Sequence, residues 1–297
     1  TRESPCGCGG DATTAMNEIG RILLPFFVVI LLGYGAGRLR LVREEGLAGL
    51  GTFVFRLALP VLFFRLIATT PIAPDAWPFV LTTTFATYCA FAIAFSIGAL
   101  LNGGNVPEAT IARLLGSFSH LGALAPALVI AAFGSAAAVP MALIYSFDSA
   151  ILFIATPLMM ALGGTMRTKP RKLGESIVRR IAFEPLIIAT LLGFIAAAIR
   201  LPIPPAADAA LALLGNAAAP GALFAMGVGL SLRSIGRVPV ETPLLLLVKL
   251  IVHPLIVYLL LAWVGGFDPL WVHSAVLLAA LPPAMGVYDL ARQHGVY

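Results

Sequence analysis

The fold is decided by the stretch PFFVVILLGYGAGRLRL at residues 25–41, because a related stretch, PLIIATLLGFIAAAIRL, stands at residues 185–201. The two stretches align without a gap at a spacing of 160 residues. The pairs matched by this spacing are Pro25 with Pro185, Gly33 with Gly193, Arg40 with Arg200, Pro60 with Pro220 and Phe64 with Phe224. Apolar composition alone produces chance matches between leucines, but not prolines and a glycine in step. The spacing therefore predicts an internal repeat.

The rest of the chain has the same apolar character as these two stretches. Of its 297 residues, 60% are hydrophobic and 11% are charged, whereas ordinary soluble domains have about 25% charged residues. A soluble protein of this length would lack the charge to cover its surface. The composition excludes a soluble enzyme, a nucleic-acid-binding protein and a disordered protein, and it indicates a polytopic membrane protein.

Nine apolar runs are long enough to cross a bilayer, for which a helix needs about 20 residues. They cover residues 19–39, 49–69, 78–101, 110–133, 138–163, 181–200, 206–231, 243–265 and 270–290. The runs are continuous rather than alternating, and they are about twice the length of a barrel strand, which excludes a transmembrane β-barrel. The predicted fold class is therefore an all-α polytopic membrane protein.

Basic and neutral connections alternate between these runs, with the densest basic cluster after the fifth. The basic residues are Arg38, Arg40, Arg43, Arg113, Arg167, Lys169, Arg171, Lys172, Arg179, Arg180, Arg233 and Arg237. Cytoplasmic loops carry an excess of Lys and Arg. We therefore expect a multi-pass protein with the basic loops in the cytoplasm and the N-terminus outside.

The repeat predicts two halves that are inverted in the membrane, because runs one and six cross in opposite directions. Inverted repeats are typical of secondary transporters. Five spans per repeat also predict a tenth span, so we expect a chain truncated after the ninth and a partly non-native stretch before Met16. The predicted segments are a non-membrane tail at 1–18, a first repeat with spans one to five at 19–164, a basic cytoplasmic linker at 165–180, and a second repeat with spans six to nine at 181–297.

Several longer motifs point to a known family. They are FVFRLALPVLFF, FEPLIIATLLGF, GNAAAPGALFAMGVGLSL, KLIVHPLIV and LLAALPPAMGVYDLA. Together with the stretch at 25–41, they resemble the auxin efflux carrier family in its bacterial branch, which includes malonate and malate transporters. The resemblance covers residues 19–295. It implies ten spans in two inverted five-helix repeats, with broken helices four and nine that cross at mid-membrane. It also implies a location in the bacterial plasma membrane.

The sequence departs from the family pattern at the two implied breaks. His120 stands at the position of a family Asn in run four, and Ala125 precedes Pro126 there. In run nine Gly286 takes the place of a family Asn, and Asp289 occupies a position that is usually apolar. The resemblance therefore implies the fold but does not carry over the substrate.

Prolines inside the apolar runs predict a binding site. Pro126 in run four and Pro282-Pro283 in run nine each remove a backbone donor and free a carbonyl. Such breaks are tolerated in a membrane where they line a cavity or pack on protein. The half-helix N-termini would then offer N–H groups to an anion. The alternative is a packing kink. For Pro60 and Pro220 a binding site and a packing kink are equally favoured.

Ionisable and polar groups at membrane depth are the remaining candidates, because they are costly there and face the protein interior. Arg56 could hold a carboxylate, pair with Asp148 or snorkel; His120, Asp148 and Asp289 are proton-coupling candidates. His120 could instead be structural, Asp148 could pair with an Arg, and Asp289 could reach the cytoplasmic face. Asn216 binds substrate or makes a helix–helix hydrogen bond.

Three further polar residues receive structural assignments. Arg65 lies nearer the outer end of its run and is predicted to snorkel, while Lys249 and His253 are assigned to the inner interface and to packing. The predicted substrate- and ion-binding residues are thus His120, Pro126, Pro282, Pro283, Gly286, Arg56 and Asn216.

These observations favour a secondary active transporter for a small organic anion such as malonate or another carboxylate, acting by alternating access. Cofactors, metal sites and catalytic residues are not predicted, because ATP-binding loops, zinc motifs and nucleophile elbows are missing. H⁺ and Na⁺ both stay open as the coupling ion, and so does a homodimer. The alternatives are a cation/proton antiporter of similar inverted-repeat fold and, with less support, an intramembrane enzyme.

Overall fold

A computed structural model describes residues 12–70, 76–120, 124–163, 170–232, 239–284, 287 and 291. In these residues the chain is helical and forms no strand, which confirms the predicted all-α class. The helices are α1 (Ala12–Arg38), α2 (Glu44–Ala68), α3 (Ala76–Leu101), α4 (Val106–Ser117), α5 (Leu124–Phe133), α6 (Ser135–Leu162), α7 (Pro170–Ala182), α8 (Pro185–Ala198), α9 (Pro205–Leu232), α10 (Thr242–Val264) and α11 (Pro269–Ala280).

The length and apolar composition of several helices are those of a multi-pass membrane protein. By length and composition, α2, α3, α6, α9 and α10 can each cross a bilayer. Shorter apolar helices occupy the predicted spans one, four, six and nine, at Leu23–Arg38, α5, α8 and α11.

Two predicted boundaries differ from the structure. The predicted span at 110–133 is two helices, α4 and α5, because Phe118 takes an extended conformation (φ −83°, ψ 113°) that ends α4. The predicted linker at 165–180 contains α7, which continues into the predicted sixth span. Glu184 is also extended (φ −73°, ψ 115°), as expected for a residue before proline, and α8 therefore starts at Pro185.

Two helices contain a π-helical turn, and each turn lies just before a proline. Val54–Ala58 in α2 precedes Pro60, and Val248–Val252 in α10 precedes Pro254. Proline cannot donate to the carbonyl four residues earlier and its ring crowds that carbonyl. A wider turn relieves this crowding, and π-bulges are frequent at functional sites.

The helices pack in two groups. α1 packs along α9, and α2 packs along α8 and α9, which forms the first group. α3, α4, α10 and α11 pack on one another and form the second. α5 and α6 contact helices of both groups and lie between them.

The first group contains reciprocal contacts between residues that the 160-residue spacing matches. A Cβ at Gly33 would collide with the carbonyl oxygen of Phe224, and a Cβ at Gly193 would lie 3.1 Å from the carbonyl oxygen of Phe64. α1 thus meets α9 at the same matched positions at which α8 meets α2. Glycine is required at Gly33 because only a side chain without Cβ lets the two backbones approach so closely.

The ends of α1 and α8 are also alike. Arg40 and Arg200 are the non-glycine residues with positive φ in the described part of the chain, at 58° and 51°. After each of them the chain closes the helix with the same hydrogen bond, from Leu41 N to Ala36 O and from Leu201 N to Ala196 O, both 2.9 Å. This is the Schellman type of helix ending, here with arginine in the left-handed position.

Candidate functional site

Two interrupted helices meet in the second group. Ser119 and Pro283 form an isolated antiparallel bridge. His120 N donates to Pro282 O at 2.9 Å, and Ala284 N donates to Phe118 O at 3.3 Å. The extended segments 118–120 and 282–284 therefore run antiparallel, and we call this pairing the crossing. Each segment supplies hydrogen-bond partners for backbone groups of the other, which cannot form these bonds within their own helices. Buried backbone groups require such partners.

The prolines explain where the helices stop. α11 ends because Leu281, the residue before Pro282, is extended (φ −62°, ψ 147°). Pro126 stands at the third position of α5, where its missing N–H costs nothing because the first N–H groups of a helix have no partner within it. The proline is therefore accommodated at the start of a new helix rather than at a kink in a continuous one.

Lys249 lies fully buried beside the crossing. Its Nζ donates to Ser119 Oγ at 2.8 Å and to the carbonyl oxygen of Ala279, and it lies 3.2 Å from His253 Nδ1. Three contacts match the three donors of an ammonium group. The assignment of Lys249 and His253 to the inner interface misses this role, because the π-turn of α10 directs both toward the crossing.

A chain of polar side chains continues from Lys249 to Asp148. His253 Nε2 lies 3.4 Å from Thr87 Oγ1, and Thr87 and Asp148 line the same small cavity. If His253 Nδ1 accepts from Lys249, its Nε2 carries the proton and donates to Thr87. Asp148 is buried on α6 and lies close enough to Lys249 for the two charges to interact.

These groups surround a small cavity. Its polar lining consists of Thr83, Thr87, Ser119, Asp148 and His253. Its water-accessible space is on the order of one water molecule, so a dicarboxylate does not fit without a rearrangement. The described residues contain no group of three His, Cys, Asp or Glu side chains that could hold a metal ion.

The predicted site residues fall into three sets. His120, Pro282 and Pro283 meet at the crossing, with Pro126 just after it and Asp148 in the adjoining cavity. Arg56 and Asn216 are exposed and lie on α2 and α9 in the first group. Gly286 and Asp289 lie outside the described residues.

Arg56 and Asp148 do not share a site. Arg56 is exposed on α2, whereas Asp148 is buried on α6 and lines the cavity with Thr87 and His253. Arg65, predicted to snorkel, instead forms a two-pronged ion pair with Asp208 at 2.6 and 2.9 Å. This pair joins the end of α2 to the start of α9.

Arg113 is a second fully buried cation. The sequence analysis places Arg113 in a connection between spans. In the structure it lies within α4 instead, two turns after the helix begins at Val106. Its guanidinium donates to Thr156 Oγ1 at 2.9 Å and lies over the ring of Phe91, 3.9 Å from the centroid. Lys249 differs in its surroundings, because the buried carboxyl group of Asp148 lines the same cavity as the groups that contact Lys249.

A multi-pass helical protein with charged groups buried beside interrupted helices has the features of a membrane transport protein. The sequence profile of the family described as "Membrane transport protein" matches residues 21–297. The chain belongs to this family, the auxin efflux carrier family, which confirms the resemblance seen in its motifs.

A relative from Rhizobium meliloti (strain 1021) carries the name "Putative malonate transporter". It is 42% identical over 283 residues, which cover 95% of this chain and 88% of the relative. The chain is similar to this protein along nearly its whole length.

Proposed function

We propose that this protein is a secondary active transporter for a small organic anion, such as malonate or another carboxylate, and that it works by alternating access. The observation that carries the proposal is the crossing, where two membrane helices are interrupted and a buried ammonium lies beside them. Membership of a transport family supports transport, and the name of the relative supports a carboxylate.

The architecture that we propose is two inverted five-helix repeats, with α4–α5 and α11 as parts of the broken fourth and ninth helices. The reciprocal contacts of Gly33 and Gly193 and the matched endings at Arg40 and Arg200 support it. So does the position of the short apolar helices, which fall on spans one and six and on spans four and nine. In this arrangement the basic loops face the cytoplasm and the N-terminus lies outside.

The substrate site that we propose lies at the crossing. A carboxylate there would accept from backbone N–H groups at the start of α5 and from His120. Pro126, Pro282, Pro283 and Gly286 would keep the backbone open for it. Because the cavity holds about one water molecule, substrate would enter only after the two helix groups separate. Arg56 and Asn216 would meet the substrate from the first group.

The chain from Lys249 through His253 and Thr87 to Asp148 supports coupling to protons. Asp148, Thr87 and His253 line one cavity of about the size of a water molecule, so a proton could pass between Asp148 and His253 within it. His120 and Asp289 remain further candidates for this coupling.

A cation/proton antiporter is the second candidate, because a buried acidic residue, Asp148, lines a cavity together with Leu278 and Ala279 of the last turn of α11. Uptake of radiolabelled malonate and Na⁺-driven proton movement, measured on the same proteoliposomes, separate the two. We expect malonate uptake that exceeds uptake by protein-free liposomes, and no Na⁺-driven change in internal pH. Proton exchange without uptake of any carboxylate from a broad panel would establish the antiporter instead.

A further inference from the structure

Lys249 lies at the crossing, where it contacts Ser119 Oγ, just after the end of α4, and the carbonyl oxygen of Ala279, in the last turn of α11. α4 and α11 both end at the crossing, and the C-terminal end of a helix carries a partial negative charge. The carboxyl group of Asp148 lines the cavity beside the groups that contact Lys249. The polar groups that face Lys249 and its cavity come from every surrounding helix: Thr83 and Thr87 on α3, Ser119 after α4, Asp148 on α6, His253 on α10 and Ala279 O on α11.

Oxygens dominate this set, and hard cations prefer oxygen ligands. In secondary transporters, unwound backbone carbonyls and helix C-terminal ends coordinate the coupling Na⁺. Here the ammonium nitrogen itself contacts two of the oxygens, Ser119 Oγ and Ala279 O. An added Na⁺ would have to share these oxygens with a positive charge that is already in contact with them.

We propose that Lys249 is a built-in cation that takes the place of a sodium ion at the crossing, so that the carrier moves its anion without Na⁺. The transport part of this statement rests on the proposed function, whereas the binding part concerns the protein alone. Lys249 is covalently part of α10, so it cannot diffuse away from the crossing as a bound ion can.

The test replaces Lys249 by serine, which removes the charge, opens room for an ion and leaves an oxygen behind. Thermal unfolding is followed in detergent with NaCl or choline chloride at equal ionic strength. We expect the same Tm in both salts for the wild-type protein. For Lys249→Ser we expect a saturable rise of at least about 2 °C in NaCl, because an ion that binds the folded state stabilises it.

Arg113→Ser is the matched control, because Arg113 is an equally buried cation that is held by Thr156 and Phe91 away from the cavity that Asp148 lines. Its Tm should fall without becoming dependent on Na⁺. Lys249→Gln serves if the serine variant does not fold, since its amide keeps a donor to Ala279 O but carries no charge; it should respond to Na⁺ in the same sense.

Uptake completes the test. Wild-type uptake of labelled malonate should be equal with Na⁺ and with choline, while Lys249→Ser should be slow in choline and faster in Na⁺. The proposal is overturned if the wild-type Tm is higher in NaCl than in choline chloride, or if wild-type uptake requires Na⁺. It is also overturned if Na⁺ raises the Tm of Lys249→Ser no more than that of Arg113→Ser. If the wild-type protein takes up no carboxylate in either salt, the proposed function fails, and the Tm comparison still decides the role of Lys249.

Discussion

Substitution of Gly33 by alanine tests the packing of α1 against α9. The added Cβ would lie inside contact distance of three backbone atoms of Phe224, including its carbonyl oxygen. Backbone atoms cannot rotate away as a side chain can, so the two helices must move apart. Overpacking of this kind costs about 1–3 kcal/mol, and we expect Gly33→Ala to lower the free energy of unfolding by that amount.

Gly35 provides the matched control, because it lies two residues further along the same helix and a Cβ there would meet nothing within 4 Å. Gly35→Ala should be neutral or should stabilise the protein by up to about 1 kcal/mol, since alanine is the better helix former. Gly193→Ala should cost less than Gly33→Ala, because its Cβ would lie at 3.0 Å from Ile67 Cβ and 3.1 Å from Phe64 O.

The assay is thermal or denaturant unfolding of the purified variants in one detergent. The expected order of stability is Gly35→Ala, then Gly193→Ala, then Gly33→Ala. The reasoning is refuted if Gly33→Ala unfolds at the same point as Gly35→Ala, because the two backbones would then not be in the close contact described.

The remaining predictions concern the site and one ion pair. Asp148→Asn should reduce malonate uptake by at least about tenfold, because buried carboxylates in membrane proteins serve proton or ion pathways. Asp268, the exposed N-cap of α11, provides the control, and Asp268→Asn should leave uptake unchanged. Equal uptake by both variants would show that Asp148 is not part of the coupling chain. His120→Ala should reduce uptake while His273→Ala, whose ring is exposed beside Phe133, leaves it unchanged. Arg56→Ala and Asn216→Ala should both raise the KM for the anion, and unchanged uptake in Arg56→Ala and His120→Ala would show that the site assignment is wrong. Arg65→Ala should lower Tm slightly at low salt and not at high salt, because its partly exposed pair with Asp208 is screened; a loss that persists in high salt would contradict this.

The repeat was the most informative feature of the sequence, since matched residues such as Arg40 and Arg200 reach the same unusual backbone conformation. Pro126 and Pro282 marked the two interruptions as well. The end of α4 at Ser117 could not be located in the same way, because the extended segment after it depends on pairing with residues 282–284 far along the chain.

Side-chain direction was the harder problem. Lys249 was visible as a charge inside an apolar run, but hydropathy reports depth and not the face of the helix. The π-turn before Pro254 sets that face, and its effect depends on tertiary contacts. The same limit applies to Arg56, which lies at mid-span and is exposed. Arg113 lies inside α4 because that helix begins at Val106, and the pattern of loop charges does not show where a helix begins.

Exchange across the membrane tests the central claim most directly. Proteoliposomes are loaded with unlabelled malonate, diluted into medium with labelled malonate, and followed for entry of label. A carrier that alternates access carries label in as it returns from carrying malonate out, so we predict transient accumulation of label above the outside concentration. Accumulation should be absent in protein-free liposomes and strongly reduced in His120→Ala. The account would be contradicted if the internal concentration of label never exceeded the outside concentration, for malonate and for every other carboxylate in the panel.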